Sequence, residues 1–240
     1  MGIRKPIKNI EAISLDLDDT LWSISPVILR AEEKIQQYLV SEYSRINSNA
    51  ISSDCKEAIE EIRQRHPEVN HDLTEIRRLS FEIILKKYEY DPIESNNLID
   101  LYLDLRHDFE LFPEVLSALK ILAKHFKLVA VSNGNADLRR LEIKSYFTGQ
   151  VSAGEFGIRK PDRSIFHKAC EVLGTKPESV LHVGDHPTED VMGAEQAGLK
   201  SVWVNRFGRD WPLKDKPSAE LHDLNGLIEL LGIEESRRSN

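Results

Sequence analysis

Apolar residues along this chain fall into two alternating patterns. Short aliphatic and β-branched runs occupy positions 10–15, 128–131, 180–183 and 201–204. Their length and composition predict buried strands. Between them, apolar residues recur at helical spacing. Val27, Ala31, Ile35 and Leu39 form one stripe, with Ser25 as the expected N-cap and Pro26 at the first helical position. Asp54 is the expected cap of a second helix carrying Ile59 and Ile62, which stops near His66 and Pro67. Asp72 is the expected cap of a third, with Ile76, Leu79, Ile83 and Ile84 inward. A fourth spans about 93–109 with Leu98, Leu101, Tyr102 and Leu105. After Pro113, Val115, Leu116, Leu119 and Leu122 mark another helix, and Ile165, Ala169, Val172 and Leu173 a later one. Further helices are predicted from about Asp137, near 190–197 and over about 224–231, with a weak strand near 150–152.

Positions 24–109 therefore read as helix after helix, whereas the remainder alternates strand and helix. Alternation of this kind predicts an α/β fold: a doubly wound, Rossmann-like parallel sheet. The expected division is a core made of 1–22 and 110–240, with an all-helical cap domain, 23–109, inserted after the first strand.

The chain has 240 residues, 32 Lys plus Arg against 40 Asp plus Glu, and a net charge of −8. That balance argues against a general nucleic-acid binder. An anionic substrate must then find local positive charge, from a metal ion or a placed lysine. The two cysteines, Cys55 and Cys170, make no disulfide framework, so a reducing compartment is expected. The basic start is followed by an apolar run broken by Glu11 and Asp16, unlike a signal peptide. Position 6 is Pro rather than Ser or Thr, which argues against myristoylation at Gly2. No stretch has the length of a membrane span. A soluble cytoplasmic protein, monomer or small homo-oligomer, is expected, with a polar, frayed tail at 234–240.

Candidate chemistry collects where the strands end. Asp16, Asp18 and Thr20 follow the first strand, and Asp16 and Asp18 would share one side of an extended chain. Two such carboxylates coexist when a cation lies between them or one keeps its proton, and both conditions suit phosphoryl transfer. A polar turn ending a strand would look the same. Ser132 and Asn133 offer donors for phosphate oxygens, or form an ordinary turn before Gly134. Lys160 precedes Pro161, which restricts its backbone; it is either a fixed point charge for a phosphoryl group or a solvated loop lysine. Asp185 and Asp190 flank a turn after another strand: one can reach a metal while the other orients its surroundings, or they favour a helix start. In an open parallel sheet these strand ends line one edge.

The ordered set Asp16-x-Asp18-x-Thr20, then Ser132-Asn133-Gly134, then Lys160-Pro161, then Gly184-Asp185 with Asp190, resembles the capped phosphatase branch of the haloacid dehalogenase-like hydrolases. The resemblance covers the whole chain, and the short interval from Ser132 to Lys160 leaves no room for a large second insert. It implies a magnesium-dependent phosphomonoesterase, with Asp16 as nucleophile and metal ligand and Asp18 as general acid and base, its carbonyl also on the metal. Ser132, the backbone at Asn133 and Lys160 would hold the phosphoryl group. Asp185 would complete the Mg2+ site, with Asp190 behind it. His182 and His186 are read as structural. Positions 16–32, 67–77, 132–135 and 181–186 are also similar to the phosphatases of bacterial flavin synthesis. That implies a small phosphorylated metabolite such as ribitylaminouracil phosphate or FMN, with His71, Asp72, Arg77 and Arg78 as cap residues toward substrate, or as a solvated helix start. Another sugar phosphate or nucleotide, a phosphomutase, a 2-haloacid dehalogenase and a non-catalytic binding protein are the alternatives.

Overall fold

The structure is a computed structural model and describes residues 7–233. The basic start and the polar tail lie outside the described residues. Strand β1 (Ala12–Leu15) is followed by four helices, α1 (Ser25–Glu42), α2 (Ile51–Arg65), α3 (Leu73–Lys87) and α4 (Ser95–Arg106). Then come α5 (Val115–His125), β2 (Lys127–Ser132), β3 (Gly149–Ser152), α6 (Ala153–Phe156) and α7 (Arg163–Leu173). The chain closes with β4 (Val180–Gly184), α8 (Gly193–Gln196), β5 (Lys200–Val204), β6 (Glu220–Leu221) and α9 (Asn225–Leu230).

All strand pairs are parallel, in the order β3-β2-β1-β4-β5-β6. A parallel sheet needs both faces covered, and its strands are apolar on both. Ile13 and Leu15 face α5 and α9, packing with Val115, Leu119, Leu122 and Leu227. Ala12, Val129, Val131 and Val180 face α7 and α8, packing with Ile165, Phe166, Ala169 and Ala194. The helices between β1 and β2 enclose an apolar cluster of their own, including Ala31, Ile35, Leu39, Phe81, Ile84, Leu98 and Tyr102. Where the chain leaves and re-enters the sheet region, Phe112 N–H donates to Leu21 O at 2.9 Å and Trp22 stacks on Phe109 at 4.0 Å.

Several local expectations need correction. Asp19 accepts the Ile24 N–H at 3.0 Å, so α1 starts at Ser25 with Ile24 as N-cap, and the Ser25 side chain caps nothing. Helix α2 starts before Asp54, because the Asn47 carbonyl takes the Ile51 N–H at 3.0 Å. Asp54 instead ties α2 to the end of α3, accepting from Lys87 Nζ at 2.8 Å and Tyr88 OH at 2.7 Å. Asp72 caps α3 as expected, taking Thr74 N–H at 2.9 Å and Glu75 N–H at 3.0 Å. The helix expected from Asp137 is two short 3₁₀ turns, Leu138–Arg140 and Glu142–Tyr146, separated by an extended Leu141. His186 Nδ1 takes the Thr188 and Glu189 N–H groups, so the chain winds from Pro187 as a π turn (Pro187–Met192) before α8, earlier than Asp190. Among the described residues no helix is long and apolar enough to cross a membrane.

Candidate active site

The carboxyl ends of β1, β2 and β4 meet at one edge. Asp16 continues β1, its N–H donating to Val183 O at 2.9 Å. Lys160 reaches it from the segment before α7 and is only 3% exposed, which rules out the solvated-lysine alternative. Its ammonium donates to Asp16 Oδ1 at 2.6 Å, Asp190 Oδ1 at 2.6 Å and Val131 O at 2.9 Å. All three ammonium protons are thereby used. The other Asp16 oxygen accepts from Thr20 Oγ1 at 3.1 Å.

Three carboxylates crowd this edge. Asp16, Asp185 and Asp190 each offer an oxygen within 4.8 Å of the others. Burial pushes Asp16 up to about 7, with Lys160 opposing and Asp190 reinforcing the shift. Burial, then the charges of Asp16 and Asp190, push Asp185 up to about 8. Asp190 is also buried, but Lys160 and His182 outweigh that and hold its carboxyl well below the usual range. Its oxygens are occupied: Oδ1 by Lys160 and by His182 Nε2 at 3.1 Å, Oδ2 by the His186 N–H at 2.9 Å. Asp185, and Asp16 with a single partner on each oxygen, keep lone pairs for a cation, and the oxygen-only donor set fits a hard ion such as magnesium.

Asp18 lines the same cavity by a different route. Asp19 turns the chain with a left-handed φ of 58°, which aspartate tolerates better than most residues. The Asp18 carboxylate takes two bonds from Arg106 Nη2, at 2.6 and 2.8 Å, and one from Trp22 Nε1 at 2.9 Å. It lies over Gly134, where a Cβ would collide with its Oδ2. Arg106 ends α4 and is 1% exposed, so the helical layer reaches into the site through this side chain. Its Nε donates to Asn135 Oδ1 at 2.9 Å.

Ser132 Oγ accepts the Gly134 N–H at 2.9 Å. The Asn133 side chain, by contrast, is a clamp on the segment carrying Lys160. Its Oδ1 accepts the Lys160 N–H at 2.8 Å, and its Nδ2 donates to Lys160 O at 2.9 Å and Glu189 Oε2 at 2.8 Å. Only the Asn133 backbone is left for a phosphoryl oxygen. The Lys160–Pro161 peptide is cis.

Asp16, Asp18, Ser132, Asn133, Lys160, Asp185 and Asp190 all line one cavity of about 290 Å³, with Arg159 and Arg209 also in its wall. A second cavity, of about 380 Å³, shares Leu73 and Gly134 with it and runs between the helical layer and the sheet edge. Asp72 and Thr74 line it from α3, and Asn135, Gln150 and Ser152 from the other side. The four residues expected toward substrate separate here. Asp72 lines this cavity; His71 lines neither. Arg77 donates to Glu32 at 2.8 Å and lies over the Tyr102 ring, while Arg78 pairs with Glu75 and Glu82.

Sequence reading missed Arg106 and the pair Ser14–His182 as parts of the site. Arg106 had a signal: it continues the buried stripe Leu98, Tyr102 at a four-residue step, a charge on an apolar face. Ser14 and His182 are polar residues inside apolar strands, which also marks them.

Comparison with known proteins agrees with this geometry. A family model described as haloacid dehalogenase-like hydrolase matches residues 10–198. The chain is 30% identical to the 5-amino-6-(5-phospho-D-ribitylamino)uracil phosphatase YigB of Escherichia coli, over 96% of this chain and 100% of that protein. It is 28% identical to the glyceraldehyde 3-phosphate phosphatase of Methanopyrus kandleri, over 82% of this chain and 84% of that one. The crystal structure of a 2-haloacid dehalogenase from Pseudomonas syringae superposes with a TM-score of 0.86 at 35% identity, covering 93% and 98% of the two chains. With its aspartates, lysine and serine gathered at the strand ends and a match over most of its length, this chain belongs to the haloacid dehalogenase-like hydrolase family.

Proposed function

We propose that this chain is a magnesium-dependent phosphomonoesterase working through an aspartyl-phosphate on Asp16. The observation that carries the reading is Lys160, buried with all three protons engaged, which holds Asp16 beside Ser132 and Asp185 in one cavity. Asp16 attacks phosphorus, and the ester oxygen departs with a proton from Asp18. Asp18 then takes a proton from the water that attacks the phosphoenzyme, releasing phosphate. Ser132 Oγ and the Asn133 N–H hold the phosphoryl oxygens, and Lys160 supplies fixed positive charge. Asp16, Asp185 and the Asp18 carbonyl are the residues that would hold Mg2+, which supplies further neutralisation of charge. In this reading residues 23–109 form the cap domain and the 380 Å³ cavity receives the leaving group.

Likeness to the Escherichia coli enzyme supports a small phosphorylated metabolite such as ribitylaminouracil phosphate, and the proposal extends to FMN and to a cytoplasmic setting. The polar lining of the larger cavity, Asp72, Thr74, Asn135 and Gln150 among it, suits a hydroxyl-bearing leaving group. The Pseudomonas syringae likeness supports a second reading, a 2-haloacid dehalogenase. A dehalogenase has no alkoxide to protonate, so an Asp18 in the cavity favours the phosphatase.

A panel of phosphate esters and 2-haloacids, with and without Mg2+, tests both readings. Phosphate release that needs Mg2+ and is abolished in Asp16→Asn is expected. Halide release with no phosphate release, or full phosphatase activity after exhaustive chelation, contradicts the proposal.

A further inference from the structure

Three polar side chains form a row on one face of the sheet, Ser14, His182 and Ser201; Ser201 Oγ donates to Glu195 at 2.6 Å, and the other two meet each other. Ser14 on β1 and His182 on β4 are register partners, and both are fully buried. They lie on the face that α7 covers, where Phe166 meets the imidazole edge-on at 5.0 Å. Burying a hydroxyl and an imidazole there costs free energy unless both are hydrogen-bonded. They are: Ser14 Oγ is 2.8 Å from His182 Nδ1, and His182 Nε2 is 3.1 Å from Asp190 Oδ1.

The partners fix the tautomer. Asp190 is ionised against Lys160 and can only accept, so Nε2 carries the proton. Nδ1 of the neutral ring is then the acceptor, and Ser14 donates to it. Ser14 thus donates to His182, His182 to Asp190, and Lys160 to both Asp190 and Asp16. An ammonium is a point charge that dictates little direction, whereas a ring N–H is directional. His182 and the His186 N–H are therefore what orient the Asp190 carboxylate, which lies against Gly184 where a Cβ would collide with it.

We propose that His182 is a positioning residue for the reaction. It sets the angle of Asp190, Asp190 sets Lys160, and Lys160 sets Asp16, while Ser14 satisfies Nδ1 and holds the ring so that Nε2 faces Asp190. The proposal rests on the reading of Asp16 as nucleophile. A side chain needed only to fill space would be apolar here, as Ala12, Val129, Val131 and Val180 on this face are.

The test compares His182→Phe, His182→Gln and Ser14→Ala in Mg2+-dependent ester hydrolysis, alone and in an Asp190→Asn background. His182→Phe should lower kcat by ~10–100-fold, the usual cost of losing an outer partner of such a site, with KM nearly unchanged. Glutamine keeps an N–H for Asp190 and should restore part of that loss. In Asp190→Asn, His182→Phe should cost nothing further. Nitrogen NMR of the labelled ring should show a protonated Nε2 and a bare Nδ1, and Ser14→Ala should shift the Nδ1 resonance by removing its donor and lower kcat by a smaller factor. Wild-type kcat in His182→Phe, or an undiminished further loss in the Asp190→Asn background, overturns the proposal. If His182→Phe does not fold, Ser14→Ala decides: a shifted Nδ1 resonance with unchanged kcat is also an overturning result. A wild-type protein that releases no phosphate sinks the functional reading instead, and the ring nitrogens still report whether the hydrogen-bond chain exists.

Discussion

Charged groups at the carboxyl edge of the sheet are held by partners from distant parts of the chain, whereas those in the helices of 25–106 are held mainly within that layer. Lys160 meets Asp16 and Asp190, all three buried and each from a different crossover of the sheet. In the helical layer Arg78 pairs with Glu75 and Glu82 one turn away, and Arg77 with Glu32 on α1. A buried ion pair exacts a desolvation cost that only good geometry repays, and removing one partner strands the other. A partly exposed helical pair contributes little. The sheet edge is therefore where a single substitution should be felt in catalysis. Arg106 and Asp104 of α4 join the two regions, the first holding Asp18 and the second pairing with Arg140 at 2.6 Å.

The largest effect that would sharpen this contrast is at Lys160. Lys160→Met should lower kcat by ~10²-fold or more, by analogy with deleted oxyanion donors, while the protein stays folded. Steady-state kinetics beside a circular-dichroism melt checks this, and a near-normal rate would erase the contrast. Next is Arg106→Met. Loss of its two bonds frees the Asp18 carboxylate, and misplacement of a catalytic group costs on the order of 10-fold or more. The loss should be larger for an alkyl phosphate than for nitrophenyl phosphate, whose leaving group needs no proton. Gly134→Ala should mimic it, because the new Cβ takes the space of the Asp18 carboxylate.

Smaller effects separate the cap residues from one another. Asp72→Asn keeps the α3 cap, since asparagine caps as well as aspartate, but removes a charge from the larger cavity. It should reorder relative kcat/KM among phosphate esters, whereas Arg78→Gln should leave the order unchanged. The reverse result would place the substrate against the other face of α3. The smallest effect is at His107, between α4 and the sheet edge. Its Nδ1 donates to Leu103 O at 2.5 Å and its Nε2 accepts the Asp137 N–H at 2.9 Å, so the ring is neutral. Burial lowers its pKa, Arg106 and Arg140 add to this, and the Leu103 carbonyl and Asp137 oppose. A depressed histidine stabilises the fold fully above its ordinary value of ~6.5, and that contribution is lost as pH falls through the folded value. Between pH 7 and pH 5 the wild type should therefore lose more in Tm than His107→Gln does, as paired thermal melts would show.

How much was legible in the sequence follows the same division. The four apolar runs became β1, β2, β4 and β5, because a strand buried on both faces must be continuously apolar. The site residues were legible because each follows a strand or opens the next segment, and the parallel sheet brings such ends together. What stayed hidden depends on partners that spacing does not reveal. Asp54 looks like a cap until Lys87 and Tyr88 are placed beside it. Strand β6 has two residues, too few for a period, and Glu142–Tyr146 winds as 3₁₀ although its composition suits a helix. Asn133 was expected to meet phosphate through its backbone, but that its side chain clamps the Lys160 backbone was not readable from spacing. The arginines of α3 read equally as substrate contacts or as a solvated helix start, and glutamates within the helical layer pair with them.

The central claim is that Asp16 carries the phosphoryl group and Asp18 moves the protons. Rapid quench with a radiolabelled nitrophenyl ester tests it most directly, using Asp16→Asn and Asp18→Asn. Asparagine at 18 leaves the nucleophile in place but removes the help in activating water, typically worth ~10²–10⁴-fold. The Asp18→Asn protein should release one burst of nitrophenol, stall and retain label that maps to Asp16, while Asp16→Asn should retain none. Equal labelling of the two variants, or label mapped to another residue, would contradict the account.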